Sequence, residues 1–190
     1  RQLVSLLKGL DKGVFRVGLV RLYGRGGPFA GIAQEPGVTE YCVEKAGRWD
    51  LLGAGRRFVS AVRDFKPDVI HGYMYPANEL AVLTGVVFGV PRIMGIRVSN
   101  MDLQSYGRFT SHVFRAGVVL SRFADAIVAN STAGRDSHVD RGYAAQRLSV
   151  IPNGIDTDRF RPDPATGLQW RMANGISPSA KVIGLLARLD

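Results

Sequence analysis

The chain has 190 residues, 46% of them hydrophobic and 22% charged, which is enough apolar material for a packed core and excludes a disordered polyelectrolyte. Lys and Arg outnumber Asp and Glu by 25 to 16, giving a net charge of +9, but the basic residues are scattered without interleaved aromatics, and nucleic acid is excluded as the expected partner. The single cysteine, Cys42, excludes an internal disulfide and a cysteine-based metal site.

Leu3, Leu6, Leu7 and Leu10 recur at helical spacing, so the chain opens in a helix over 1–10. A strand over 16–22 follows, then a glycine-rich loop at 24–27 and a short strand over 38–43. Trp49, Leu51, Leu52, Phe58, Val59, Val62 and Phe65 mark one face of an amphipathic helix, which Pro67-Asp68 ends. Val69-Ile70-His71 reads as a short buried strand.

The unit then repeats. A mostly apolar helix over 78–88 leads through Gly89-Val90-Pro91 to a strand over 92–96 and a polar loop over 98–107. Phe109, Val113, Phe114, Gly117, Leu120 and Phe123 form the next helical stripe, and a strand follows over 126–129. Ser131 or Thr132 caps a helix running to about Asp140, closed by Arg141-Gly142-Tyr143. The last strand of the set covers 148–151. Trp170, Met172 and Ile176 suit a short packed connector, and a fresh apolar strand is expected over 182–187. The apolar run at 80–90 is too short to span a membrane and is interrupted by Gly85 and Gly89.

Strands and helices alternating at this pace, with runs such as Asp68-Val69-Ile70 and Ala126-Ile127-Val128 that lack a polar face, predict an α/β fold: a Rossmann-like parallel sheet with helices on both faces. Ligands of such sheets bind beyond the carboxyl ends of the strands. That rule gathers residues 71–75, 97–104, 130–132 and 153–156 on one rim. Asn153-Gly154 after Pro152 is expected to make a tight turn, since Gly enters positive φ freely and Asn tolerates it.

Ile151-Pro152-Asn153-Gly154-Ile155-Asp156, followed by Asp158-Arg159-Phe160 and Pro162, resembles the interdomain signature of the family 4 glycosyltransferases, which have the two-domain GT-B fold. Pro67-Asp68-Val69-Ile70-His71 resembles the strand-ending motif of that family, and 124–131 its later strand and cap. Residues 184–190 resemble the opening of its nucleotide-sugar domain. The resemblance implies an incomplete acceptor-side Rossmann-like domain over 1–165, without the family's first strand and Gly-Gly loop. Residues 166–190 become a connector and the first strand of the donor domain. Opening at Arg1 without an initiator methionine or a cleavage region, the chain is expected to be a fragment truncated at both ends, inactive by itself, from a cytoplasmic protein.

The implied reaction passes a glycosyl group from a nucleoside diphosphate sugar to an acceptor hydroxyl with retention of configuration, with no tightly bound cofactor and no required metal. The acceptor is a glycan, a lipid or a small metabolite, and the missing C-terminal domain is itself a partner. Basic rim residues also suit a peripheral encounter with the inner face of a membrane.

On that resemblance Arg188 contacts the diphosphate, whose growing negative charge a guanidinium stabilises through two oxygens, and Asn153 and Gly154 line the donor side. Arg97 stands where many members carry a histidine, so it can hold an acceptor phosphate or carboxylate or oppose diphosphate charge, yet cannot act as a general base. His71 either hydrogen-bonds an acceptor or ties down its loop, and together with Arg97 it is the catalytic candidate. Tyr73 and Tyr75 can stack on a sugar ring or pack the loop. Ser99, Asn100, Asp102 and Asn130 offer donors and acceptors to a polyhydroxylated ligand, against ordinary loop capping. His112 and His138 lie in helical patterns with no Asp, Glu or Cys at ligand spacing, and neither points to zinc.

Two other classes compete. A non-catalytic small-molecule-binding module would keep the sheet and lose the chemistry. A nicotinamide-dependent enzyme would need a glycine fingerprint after a strand, and Gly24-Arg25-Gly26-Gly27 provides neither that nor a P-loop.

Overall fold

The computed structural model describes residues 2–24, 35–44, 47, 50–99 and 107–185. The elements in order are α1 (Gln2–Gly9), β1 (Val17–Arg21), β2 (Val38–Cys42), α2 (Leu51–Phe65), β3 (Ile70–Tyr73), α3 (Ala77–Phe88), β4 (Arg92–Ile96), α4 (Arg108–Leu120), β5 (Ala126–Ala129), α5 (Thr132–Val139), β6 (Leu148–Val150) and α6 (Pro164–Ala173). All strand pairing among the described residues is parallel. β1 pairs with β2 in one sheet, and β3-β4-β5-β6 form a second, four-stranded sheet in chain order.

The chain divides into two compact units, Arg1–Asn153 and Gly154–Asp190. In the first, the larger sheet has two unlike faces, because side chains alternate along each strand. Ile70, Met94, Ile96, Ile127 and Ala129 lie on one face and are buried, with Val82 of α3, Phe114 of α4 and Tyr143 completing the core. His71, Tyr73, Arg97, Val128 and Asn130 occupy the opposite face, and all are half-buried. A second cluster joins Ala54, Phe58 and Val62 of α2 with Val43, Ile70 and Ala81, and Val20 of β1 packs against it.

Local chemistry sets the helix ends. Ser131 Oγ accepts the Gly134 N–H at 3.0 Å and starts α5, while Gly89 ends α3 with φ +66°. Lys66 closes α2 in the left-handed region at φ 51°. Helix–sheet contact is closest at Gly72, where an added Cβ would stand 2.6 Å from the Asn78 Cα. The absence of a side chain there lets the first turn of α3 lie directly on β3.

The second unit holds α6, capped by Asp163, whose carboxylate accepts the Thr166 N–H at 3.0 Å. Three expectations change here. Trp170 and Met172 of α6 are 52% and 69% exposed, so a helix forms where the connector is expected but does not bury them within its own unit. Residues 182–185 carry no strand pairing, since a strand exists only against a neighbour and no other strand is found among the described residues of this unit. The expected tight turn is also absent: residues 151–156 have no turn hydrogen-bonding pattern, and Gly154 stays out of the left-handed region.

Candidate functional site

The carboxyl ends of β3, β4, β5 and β6 bring the rim residues together. His71 and Tyr73 sit two apart on β3 and share the less-buried face, with ring centroids 4.5 Å apart. Tyr73 pairs with Gly95 on β4, and a Cβ added to Gly95 would lie 3.3 Å from His71 Nε2 and 2.7 Å from the Gly72 carbonyl oxygen. Glycine at 95 therefore makes room for the imidazole. Two residues further on, Arg97 leans back over β3, its guanidinium carbon 4.8 Å from the Tyr73 ring centroid. Arg97 Nη1 also donates to Asn153 Oδ1 at 3.2 Å, linking the end of β4 to the segment after β6.

Three polar atoms in this group are buried without a hydrogen-bond partner: His71 Nε2, Arg97 Nε and Asn130 Oδ1. Buried polar groups are nearly always paired in folded proteins, so a concentration of orphans marks a place where water or a ligand group completes the arrangement. Burial lowers the His71 pKa to about 4, helped by the nearby Arg97 charge. The imidazole is therefore neutral near pH 7 and can donate from one nitrogen and accept at the other. Arg97 supplies the fixed positive charge, and no carboxylate among the described residues forms an ion pair with it.

The other rim residues divide into those brought to this group and those tied elsewhere. Asn130 follows the Ile96–Ala129 pair and donates its N–H to the Ile96 carbonyl at 3.2 Å, which puts it beside Arg97. Ser99 is exposed, with its Oγ 3.2 Å from Ser131 Oγ, so it joins the cap of α5. Gly154 is exposed, and a Cβ added there would meet no atom within 4 Å. Asn100, Asp102 and Arg188 lie outside the described residues.

Sequence reading missed Asn78 and the pairings that hold this rim in place. Asn78, fully buried in the first turn of α3, donates from Nδ2 to the Gly95 carbonyl at 3.1 Å and accepts the Gly95 N–H at Oδ1 at 3.0 Å. It thus clamps the β4 backbone two residues before Arg97. Tyr75 hydrogen-bonds His138 Nε2 at 2.7 Å, and Tyr143 donates to the Tyr75 oxygen at 3.2 Å. His138 Nδ1 lies 2.7 Å from the Gly134 carbonyl, which can only accept, so Nε2 is the acceptor for Tyr75. This chain anchors the β3–α3 loop to α5. Tyr75 therefore packs the loop and does not present a free ring to the site.

Beside that chain Glu79 is buried with neither carboxylate oxygen hydrogen-bonded. Burial pushes its pKa up to about 8, so it is mainly a neutral acid near pH 7. Gly117 of α4 leaves the space for it: a Cβ there would stand 2.5 Å from Tyr143 Oη and 2.7 Å from Glu79 Oε1. Among the described residues, no group of three or more His, Cys, Asp or Glu is placed to hold a metal ion, and no helix is long and apolar enough to cross a membrane.

Among solved structures, the chain is similar to Anabaena HepE in complex with UDP, with 18% identity and a TM-score of 0.69 over 92% of this chain and 46% of that one. The HepE complex with UDP-glucose gives 20% identity and a TM-score of 0.65 at the same coverage. A putative UDP-N-acetylglucosamine 2-epimerase from Listeria monocytogenes gives 11% identity and a TM-score of 0.50 over 77% of this chain and 39% of that one. Identities this low establish the fold alone, a Rossmann-like GT-B half, and the chain spans less than half the length of these proteins. No curated protein matches it significantly. The Glycosyltransferase Family 4 profile matches residues 1–159, the whole of the first compact unit and six residues beyond it. The chain belongs to Glycosyltransferase Family 4.

Proposed function

We propose that this chain is the acceptor-side part of a retaining glycosyltransferase that uses a nucleoside diphosphate sugar. The observation that carries this reading is the meeting of His71, Tyr73, Arg97, Asn130 and Asn153 at the carboxyl rim of a parallel sheet, in a family 4 chain. HepE, which shares the fold, is seen with UDP and with UDP-glucose, and this makes a uridine nucleotide the first donor to test.

In the proposed reaction an acceptor oxygen bonds to the anomeric carbon while the bond from that carbon to the diphosphate oxygen breaks on the same face. The acceptor proton passes to the departing phosphate, so no protein base is required. Neutral His71 orients the acceptor hydroxyl by accepting from it or donating to it. Tyr73 supports a sugar ring, and Arg97 supplies positive charge. Arg188 and Gly154 are assigned to the donor diphosphate, and Ser99, Asn100 and Asp102 to the acceptor, on their positions in the family motifs. Residues 1–165 are assigned to the acceptor-side domain and 166–190 to the connector and the opening of the donor domain. The acceptor is a glycan, lipid or small metabolite, reached from the cytoplasm or at the inner membrane face.

One observation favours a second reading, a binding module without transfer: Arg97 occupies the place where many members carry a histidine close to the transferred sugar, so a fixed cation with donors only replaces a group that can also accept a hydrogen bond. Full-length protein incubated with a panel of nucleotide sugars, with and without candidate acceptors, separates the two. Acceptor-dependent release of nucleoside diphosphate supports transfer. Nucleotide binding without release from any donor favours the binding module.

A further inference from the structure

We infer that Arg97 reads an oxyanion, a carboxylate or phosphate carried by the acceptor, so that the natural acceptor is an acidic molecule. This rests on the transferase reading above and adds to it the class of acceptor. The guanidinium is held on two sides, by the Tyr73 ring at 4.8 Å and by Asn153 Oδ1 at 3.2 Å, both uncharged. Holding a rotamer-rich side chain in place before a ligand arrives removes part of the entropic cost of binding it.

A fixed arginine of this kind ordinarily faces a carboxylate of its own protein. Arg16 and Arg63, which also lie over aromatic rings, sit on the outer parts of the fold, whereas Arg97 stands among half-buried groups at the strand ends. The ion pairs of the described residues use Lys8, Arg21, Arg57, Arg92 and Arg135, and leave Arg97 without one. Among the described residues, its neighbours on the rim are neutral: His71 by deprotonation, Tyr73, Asn130 and Asn153 by chemistry. Arg97 Nε and Asn130 Oδ1 remain buried and unpaired beside each other in the register, and an arginine fork with donors to spare matches two oxygens of one anion. The amide of Asn130 can turn to present its nitrogen to the same anion.

Two oxyanions compete for such a charge: an acidic group on the acceptor and the diphosphate of the donor. The test therefore uses full-length protein saturated with UDP, which fills the diphosphate position, and follows inorganic phosphate and acetate by ligand-observed NMR at constant ionic strength set with chloride. Both the unsubstituted protein and Arg97→Lys, which keeps the charge, are expected to bind at least one of the two anions, the variant more weakly. Arg97→Gln is expected to lose about tenfold or more in affinity for that anion, as for removal of a charged hydrogen bond. UDP affinity is expected to stay within about twofold in both variants, measured with their thermal melts to verify folding.

Phosphate binding without acetate binding identifies a phosphorylated acceptor, and binding of acetate identifies a carboxylate as an acceptable group. The inference is overturned if neither anion binds, if Arg97→Gln binds them as the unsubstituted protein does, or if UDP saturation displaces them and Arg97→Gln loses UDP affinity in step. Failure to bind UDP at all, or absence of acceptor-dependent nucleotide release, counts against the transferase reading itself and is recorded in a separate measurement.

Discussion

Arg97 and Asn153 are 56 residues apart in sequence, yet Nη1 of one donates to Oδ1 of the other at 3.2 Å. The contact joins the end of the second strand of the larger sheet to the segment beyond its fourth, across the intervening Asn130 strand end. It fixes the guanidinium over Tyr73 and sets the position of positive charge on the rim. Because the bond is solvent-exposed, its contribution to global stability is small and its contribution to positioning is the larger effect.

Asn153→Ala should therefore change the melting free energy by no more than about 0.5 kcal/mol, the range of ordinary surface substitutions. On the transferase proposal it should raise the acceptor KM of the full-length protein about threefold, with kcat little changed. Tyr73→Leu removes the ring beneath Arg97 and should act in the same direction by about 0.5–1 kcal/mol, the size of an exposed cation–π contact. Steady-state kinetics at saturating donor measure both, and a fall in kcat with unchanged KM would contradict the positioning role.

His71 carries a pH signature. Its folded pKa is depressed to about 4 from an ordinary 6.5, so the unfolded chain takes up the proton more readily. The stability that this residue contributes is present in full above about pH 6.5 and is lost as pH falls toward about 4. Compared with His71→Gln, the unsubstituted protein should lose at most about 3 kcal/mol across that window. Urea denaturation of both proteins at a series of pH values gives the difference directly, and a constant difference would exclude a buried, neutral His71.

Glu79 has the opposite sign. Its folded pKa is raised to about 8 from 4.5, so the stability associated with its neutral form is present below about pH 4.5 and is lost as pH rises through about 8. Glu79→Gln keeps the shape and removes the titration. The variant should gain on the unsubstituted protein by as much as about 4 kcal/mol between about pH 5 and pH 8. Equal pH dependence of the two proteins would mean that Glu79 is ionised in the fold.

The Asn78 clamp and the Gly72 contact should be among the most sensitive positions in the first unit. Asn78→Ala deletes hydrogen bonds of 3.1 and 3.0 Å to Gly95, whose carbonyl still accepts the Met74 N–H at 3.1 Å, and should cost about 1–3 kcal/mol. Gly72→Ala places a methyl 2.6 Å from the Asn78 Cα, where backbone must move, and should cost about 1–3 kcal/mol or more. Ser149→Ala, on an exposed position of β6 where Oγ makes one long 3.4 Å bond to the Ile127 carbonyl, serves as the mild control. Thermal melts rank the three, and a control as damaging as Asn78→Ala would remove the special status of the clamp.

Much of the fold was legible because apolar spacing encodes local structure. The strand expected over 92–96 and the helix over 78–88 agree with Arg92–Ile96 and Ala77–Phe88 to within a residue, since Gly89 and Pro91 punctuate the chain between them. The expectation over 182–187 did not yield a strand in its described part, because an apolar run specifies extended chain only where a neighbour supplies hydrogen bonds. Tight turning at Asn153-Gly154 failed for a related reason: these residues permit a left-handed turn without requiring one.

Residue types and the strand-end rule were sufficient to nominate His71, Tyr73, Arg97, Asn130 and Asn153, because polar residues just after apolar strands must lie on one rim. Sequence by itself also fixed the alternation of strands and helices and the family motifs around residues 67–71, 124–131 and 151–162. Tertiary structure alone decided which polar groups meet and in what state of charge. His71 is neutral because of what buries it and because Arg97 is near, and the Arg97 fork is aimed by a tyrosine and an asparagine from two other strand ends. The Asn78 clamp, the Tyr75–His138 contact and the burial of Glu79 were equally beyond reach of local pattern. Pairing and desolvation are properties of residues far apart in the chain, and only the folded arrangement brings them within hydrogen-bonding distance.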